Sequence, residues 1–136
     1  MKSIIGHSQI EAQAPDILFD ESRVRVGVPA ELYYPETMED IRTIVKAASG
    51  RGLSIALVGA QTGITGGSVP AAGWIAVSFS RMNKILSVKR GEHEDCPLLV
   101  CEPGVTLAEI DTFLCDPSAA SSPVGGAEAI EPGAWL

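Results

Sequence analysis

Apolar residues in this chain follow two patterns, short continuous runs and stretches with helical spacing. In the spaced stretch, 38–48, apolar residues recur three and four positions apart, which predicts a helix with one apolar face. Thr37 can cap its first turn, and Gly52 supplies a stop signal. Apolar runs at 32–34 and 55–58 flank this helix and predict strands. This order predicts one βαβ unit with a right-handed crossover, and the continuous run 55–58 is typical of a strand covered on both faces.

Further along the chain, the pattern predicts three more strands, the last two of them antiparallel, and a second helix. Apolar runs at 74–79, 85–88 and 98–101 are strand candidates. The charged residues 91–95 between the last two runs indicate a hairpin turn. The sequence Thr-Leu-Ala-Glu at 106–109 is a capping-box pattern, and apolar residues at helical spacing follow it. We therefore expect an α+β fold, in which a small subdomain of parallel strands precedes antiparallel strands and a helix.

Both ends of the chain carry weaker signals. Residues 1–31 predict a lead-in of helical and extended segments, with one short helix over residues 4–10 and a second over 16–19. Residues 116–136 are rich in Ala, Ser, Pro and Gly and lack periodicity, which predicts a loop. The expected organisation is a lead-in at 1–31, the principal part at 32–115 and a loop-like end at 116–136.

Length and composition limit the class of protein. With 136 residues and a mass of 14.2 kDa the chain has the size of one domain, and 46% hydrophobic against 20% charged residues excludes disorder throughout. The net charge of −7 argues against binding to nucleic acids or anionic membranes, which depends on Lys and Arg. No apolar stretch has the length of a signal-peptide core or of a membrane span. Because Cys96, Cys101 and Cys115 are too sparse for a disulfide framework, we expect reduced thiols in a cytoplasmic protein.

A loop rich in glycine and threonine follows the second predicted strand, at Gly59–Pro70. Glycines let backbone N–H groups approach an anion closely, and threonine hydroxyls add donors, so the loop suits a pyrophosphate. It is not a P-loop, because it has no lysine, and it is not a Rossmann fingerprint, because a strand rather than a helix follows it. From the loop alone, a phosphate-binding loop and a glycine-rich connection without a ligand are equal alternatives.

Four motifs, in this order and at this spacing, resemble the first half of the FAD-binding domain of the vanillyl-alcohol oxidase type. Within that superfamily, the chain is most similar to the group of D-lactate dehydrogenases and glycolate oxidase subunits. The motifs lie at 34–41, 59–67, 80–85 and 101–106, and the resemblance covers roughly residues 16–115. It implies a PCMH-type FAD-binding domain in a flavin-dependent oxidoreductase that oxidises a 2-hydroxy acid of the D-lactate or glycolate type.

The resemblance also implies which residues bind the cofactor. In the family the glycine loop wraps the FAD pyrophosphate, and Pro35 is expected near the adenine end. Val58 stands where many relatives have arginine, and Gln61 stands where a glycine is commoner. Thr62 falls at the position of the histidine that bonds flavin covalently in some relatives, so FAD is expected to be non-covalent. The expected cofactor-binding positions are Pro35, Gly59, Ala60, Gln61, Thr62, Gly63, Thr65 and Gly66.

No catalytic or metal-binding constellation is expected in this chain. Its histidines, His7 and His93, match no zinc spacing. Arg81 is expected to be a solvated surface cation and Cys115 a buried thiol. In the family, further cofactor contacts and a substrate-capping domain follow this part of the domain. The chain is therefore expected to be an incomplete FAD-binding domain that by itself binds little or no FAD and is inactive.

Apolar surface left uncovered by such an incomplete domain predicts a homo-oligomer. The candidates are Trp135, Leu136 and the free edge of the sheet. Two alternatives to a flavin oxidoreductase remain open. One is a stand-alone nucleotide- or phosphate-binding module without redox activity, and the other is a structural fragment without a ligand.

Overall fold

The computed structural model describes residues 1–89 and 98–115. The chain consists of two compact units, the first at Met1–Arg81 and the second from Met82 onward. The described residues form strands β1 (Lys2–Ile5), β2 (Glu31–Tyr34), β3 (Ile55–Val58), β4 (Ile75–Ser78), β5 (Ile85–Lys89) and β6 (Leu98–Cys101), helices α1 (His7–Gln13), α2 (Met38–Arg51) and α3 (Leu107–Cys115), and a 3-10 turn at Pro15–Leu18. None of these helices is long and apolar enough to cross a membrane.

The first unit is built on a four-stranded sheet in the order β1-β2-β4-β3. Strands β2, β4 and β3 are parallel, and β1 pairs antiparallel with β2. The predicted βαβ unit is confirmed as β2-α2-β3, but β4 lies between its two strands. Since the three parallel strands run the same way, their carboxyl ends meet at one edge of the sheet.

Two apolar layers enclose this sheet. Alternate residues of the strands point to opposite faces, so Leu32, Val58 and Ala76 share one buried cluster while Ile75 and Val77 belong to another. The first cluster includes α1 and the 3-10 turn, and the second includes α2. The mixed α+β architecture predicted from the sequence is therefore confirmed.

The helix predicted over residues 4–10 is wrong at its start. Ile4 and Ile5 lie in β1, where Ile4 is buried and in register with Leu32 while Ile5 is exposed. Gly6 separates this strand from α1 with a φ of 99°, a left-handed value that suits glycine. Two adjacent isoleucines fit a strand that faces both the core and solvent. The second short helix, predicted at 16–19, is confirmed as the 3-10 turn.

Helix α2 has the predicted ends. The Thr37 hydroxyl accepts a hydrogen bond from the backbone N–H of Asp40 at 3.1 Å, and Gly52 ends the helix in the left-handed conformation. Its apolar stripe is narrower than predicted, because Ile44 and Ala48 are buried whereas Met38 is exposed.

The second unit contains the antiparallel pair β5–β6, with an irregularity between Ile85 and Ser87. The predicted capping box begins α3, where Thr106 N–H donates to Glu109 Oε2 at 2.7 Å and Glu109 N–H donates to the Thr106 hydroxyl at 3.2 Å. Cys115 at the end of α3 is exposed, so the expectation of a buried thiol is wrong. The predicted turn at 91–95 and the predicted loop at 116–136, with the residues named in them, lie outside the described residues.

Candidate functional site

A cleft of 540 Å³ opens at the carboxyl ends of β3 and β4, where the glycine-rich loop begins. In open sheets with parallel strands, ligands bind at this edge. Three parts of the first unit form the cleft, namely the ends of the two strands, the start of the loop, and the 3-10 turn together with the segment that follows it. Its lining consists of Asp16, Ile17, Phe19, Asp20, Glu21, Arg23, Val58, Gly59, Ala60, Gln61 and Ser78.

The start of the glycine loop is held by the side chain of Gln61. Its Nε2 donates to the carbonyl oxygens of Ile17 at 3.2 Å and Phe19 at 3.0 Å. The backbone of Gln61 has a φ of 57°, a left-handed value that is uncommon outside glycine. Its Oε1 is buried and has no hydrogen-bond partner in the part of the chain that the structure describes. The amide is therefore oriented by its two donated bonds.

The far end of the loop is held by Asp20. Its Oδ2 accepts a hydrogen bond from the backbone N–H of Gly66 at 3.0 Å, and its Oδ1 accepts from the backbone N–H and the hydroxyl of Ser22. Asp20 is 3% exposed, so this carboxylate is largely buried at the wall of the cleft. The hydroxyl of Ser22, more than any other group, lowers the pKa of Asp20 below its ordinary value, and the two backbone donors act in the same direction.

Two glycines, Gly63 and Gly66, lie next to Asp20 and Ser22. A Cβ on Gly63 would lie 3.5 Å from Asp20 Oδ2, and Gly66 has a φ of 74°, where a side chain would strain the backbone. The loop therefore needs glycine at Gly66 for its conformation rather than only for access to a ligand.

The middle of the loop is free of such contacts. Thr62, Gly63 and Thr65 are exposed, and no acceptor within residues 1–89 or 98–115 takes their backbone N–H groups. Both threonines also carry a hydroxyl donor. Together they form a set of neutral donors that fits the oxygens of a phosphate or pyrophosphate.

The structure brings some of the predicted residues together and leaves others apart. Gly59, Ala60 and Gln61 line the cleft, and the middle of the loop continues from them. Pro35 follows β2, is fully buried and does not line the cleft. Arg81 is about half-exposed and forms an ion pair with Glu36, in agreement with the expected surface cation.

Sequence reasoning missed the segment around Asp20, which was predicted only as extended and loop-like. Its local signal is an aspartate followed two residues later by serine, a pattern typical of turns in which the side chain bonds the backbone. Nothing in that pattern indicates a contact with the glycine loop. In the described part of the chain, no group of three or more His, Cys, Asp or Glu side chains forms a metal site.

Comparison with known proteins identifies the family to which this chain belongs. Residues 29–128 match the family described as "FAD binding domain". The chain is 34% identical over 137 aligned residues to an uncharacterized FAD-linked oxidoreductase of Mycobacterium tuberculosis, with 90% of this chain and 28% of that protein covered. It is 31% identical to the D-2-hydroxyglutarate dehydrogenase of Stutzerimonas stutzeri, with 72% of this chain and 22% of that enzyme covered.

The fold has solved counterparts. The structure of p-cresol methylhydroxylase with substrate bound superposes with a TM-score of 0.63 at 21% identity, covering 85% of this chain and 22% of that one. Alkyldihydroxyacetonephosphate synthase superposes with a TM-score of 0.55, covering 80% and 20%. The chain thus spans about a quarter of the length of the proteins that it matches.

Proposed function

This chain belongs to the family of FAD-binding domains, and we propose that its glycine loop holds the pyrophosphate of FAD in a flavin-dependent oxidoreductase. The observation that carries the proposal is the set of exposed N–H groups at Thr62, Gly63 and Thr65, for which the described residues offer no acceptor, beside a cleft at the carboxyl edge of parallel strands. The cofactor of the family is FAD. The assignment of these residues to its pyrophosphate is our inference.

The donors in this loop are neutral, which fits the charge of its surroundings. Of the described residues that line the cleft, Asp16, Asp20 and Glu21 are acidic and only Arg23 is basic. Binding of a pyrophosphate here therefore depends on backbone amides and threonine hydroxyls rather than on cations. Because Thr62 has no ring nitrogen with which to bond a flavin, the FAD bound here is non-covalent.

We further propose that the whole protein oxidises a 2-hydroxy acid. The relatives named D-2-hydroxyglutarate dehydrogenase support this class of substrate. When bound, FAD supplies the hydride acceptor, and the residues of this chain contribute by binding and orienting the cofactor. We assign no catalytic residue to this chain, and we expect residues 32–115 to be the amino-terminal part of the FAD-binding domain.

Two further proposals concern the state of the protein in the cell. We place it in the cytoplasm, because three sparse cysteines suit a reducing compartment and both described ones, Cys101 and Cys115, are free thiols. We also propose that the chain self-associates through the uncovered side of β3, where Leu57 exposes apolar surface at the sheet edge.

The binding proposal is tested by titrating FAD into the 136-residue chain while the amide resonances of residues 59–66 are followed. We expect weak binding, with resonance changes at Thr62, Gly63 and Thr65. Thr65→Val should weaken binding by about threefold to tenfold, the worth of one hydrogen bond. The matched control is Thr43→Val, on the exposed face of α2, and it should leave the affinity unchanged.

Other outcomes separate the alternatives. Equal changes with ADP and FAD, with no effect on flavin fluorescence, would favour a nucleotide-binding module without redox activity. Changes elsewhere in the chain with no change at residues 59–66 would contradict the proposed site. After acid precipitation, flavin should remain in the supernatant, and flavin in the pellet would overturn the non-covalent assignment. The isolated chain should not oxidise D-lactate, glycolate or D-2-hydroxyglutarate above background.

A further inference from the structure

Two side chains join the glycine loop to the segment 17–22, which lies more than 40 residues earlier in the chain. Gln61 reaches from the start of the loop to the carbonyls of Ile17 and Phe19, with sequence separations of 44 and 42. Asp20 reaches from the segment to Gly66 near the end of the loop, with a separation of 46. We propose that Asp20 and Gln61 are positioning residues that form a clasp and set the shape of the loop before FAD binds.

This inference rests on the proposed function and divides the loop residues into two classes. The Gly66 N–H is already donated to Asp20, so Gly66 contributes its conformation and not a donor to the phosphates. Gln61 likewise contributes its backbone turn and its side-chain bonds. Among the predicted cofactor-binding positions, the donors left for the ligand between the two anchors are those of Thr62, Gly63 and Thr65. The anchors thus fix the ends of the loop, and only its middle binds.

A carboxylate beside an anion-binding loop disfavours the anion electrostatically, so attraction does not explain Asp20. Its geometry does explain it. Asp20 accepts three hydrogen bonds, two on Oδ1 from Ser22 and one on Oδ2 from Gly66. An asparagine has only one oxygen, so its NH₂ group would face a backbone N–H of either Ser22 or Gly66. The site therefore requires a carboxylate.

Gln61 is explained by the same reasoning about geometry. Its left-handed backbone is unfavourable for a residue with a side chain, and glycine would adopt it freely. The two hydrogen bonds to Ile17 and Phe19 offset that strain and tie the turn to the segment. Compared with glycine, a glutamine here has a less favourable backbone conformation, but its side chain fixes the position of the loop.

The clasp is tested first on the unchanged 136-residue chain by amide hydrogen exchange without FAD. We expect the Gly66 amide to exchange at least tenfold more slowly than those of Thr62, Gly63 and Thr65. Adding FAD should then slow the exchange of those three amides. Equal exchange at Gly66 and Gly63 without FAD would overturn the clasp. Slow exchange at Gly66 with no effect of FAD on the other three would leave the clasp in place and contradict the proposed function.

Variants then test the link to binding. Asp20→Asn should raise the exchange rate of Gly66 about tenfold and weaken FAD binding about tenfold. The matched control is Glu21→Gln, because Glu21 is exposed in the same cleft and loses the same charge. It should leave Gly66 exchange unchanged. Identical effects of the two substitutions would overturn the positioning role, and the exchange order in the unchanged chain decides the matter if Asp20→Asn does not fold.

The role of Gln61 is separated from backbone strain by a pair of substitutions. Gln61→Ala removes both hydrogen bonds and keeps the strain, whereas Gln61→Gly removes the bonds and relieves it. We expect both variants to speed the exchange of loop amides and weaken FAD binding, with Ala worse than Gly. Unchanged exchange and affinity in both variants would overturn the part assigned to Gln61.

Discussion

Strands β3 and β4 are neighbours in register, both apolar, and yet they differ in what covers them. All four residues of β4 are buried, whereas Leu57 in β3 is 58% exposed. The reason is position, since β4 lies between β2 and β3 while β3 pairs only with β4 in the described chain. A continuous apolar run therefore indicates that a strand can be covered on both faces, but its place in the sheet decides whether it is. The prediction that the strand at 55–58 is covered on both faces is wrong for Leu57, and it is β4 that has this cover.

The exposed side of β3 continues into an apolar groove of 210 Å³. Helix α2 forms one wall, and residues of β3 and the end of β4 form the other. The groove is lined by Ile41, Ile44, Val45, Ile55, Leu57, Val77 and Phe79. Strand β3 therefore gains less hydrophobic stabilisation than β4, because part of its apolar area has not been removed from water.

The largest expected effect is on stability, and it compares one residue from each strand. Ile75→Ala in β4 should lower the free energy of unfolding by about 2–5 kcal/mol, because Ile75 is 1% exposed and its loss leaves a cavity. Leu57→Ala in β3 should change it by about 0.5 kcal/mol or less. Urea unfolding followed by circular dichroism measures both. Equal losses would mean that β3 is covered in solution.

The next effect concerns association. Apolar edges favour pairing with another chain, so the unchanged protein should sediment as a dimer or larger species at high concentration. Leu57→Lys should weaken that association at least about tenfold, or about 1.4 kcal/mol. Val26→Lys is the control, because Val26 is equally exposed and lies outside the sheet. A monomer at all concentrations would contradict self-association through β3.

The smallest expected effect is a pH dependence of stability that comes from Glu31, next to β4 in the sheet. Glu31 of β2, in register with Ile75, is buried and accepts hydrogen bonds from Arg51 Nη2 at 2.6 Å and the Tyr33 hydroxyl at 2.8 Å. The hydrogen bond from Arg51 is the main reason that the pKa of Glu31 lies below its ordinary value. Since the pKa is lower in the folded state, the stabilisation is complete above the unfolded pKa, about 4.3, and is lost as the pH falls through the folded pKa.

We therefore expect Glu31→Gln to flatten the decline of stability in acid. The effect should be small, because Arg51 is half-exposed and solvent screens the pair. Glu36→Gln is the control, since that carboxylate is exposed and pairs with Arg81 at the surface. Urea midpoints from pH 3 to pH 7 provide the measurement. An unchanged slope for Glu31→Gln would rule out this carboxylate as a source of acid sensitivity.

Local structure was predictable from the sequence because its signals are local. The Thr37 cap, the Gly52 stop and the capping box of Thr106 each involve residues within one helical turn, and all three are confirmed. The order of strands was not predictable, because no spacing along the chain says that β4 enters between β2 and β3. Strand β1 was missed because two adjacent isoleucines fit a helix or a strand until their partner is known.

The candidate site divides in the same way. The glycine loop and its exposed donors follow from composition and from the strand that precedes the loop. The anchors do not, since the bonds of Asp20 and Gln61 join residues 42 to 46 positions apart. A single sequence contains no signal that pairs such distant residues. The cleft was therefore predictable on the side of the loop and not on the side of residues 16–23.

The insertion of β4 also orders events during synthesis. Strands β2 and β3 leave the ribosome with α2 between them, yet neither is the other's partner in the finished sheet. Strand β2 already has β1 as a partner on one side, but its other edge and the pairing edge of β3 stay open until β4, which begins at Ile75, has been made after the whole glycine loop. A nascent chain that stops before Ser78 thus carries unpaired edges on both β2 and β3, and such edges favour misassociation. The glycine loop must therefore be synthesised before β4 can pair with β2 and β3 and complete the sheet.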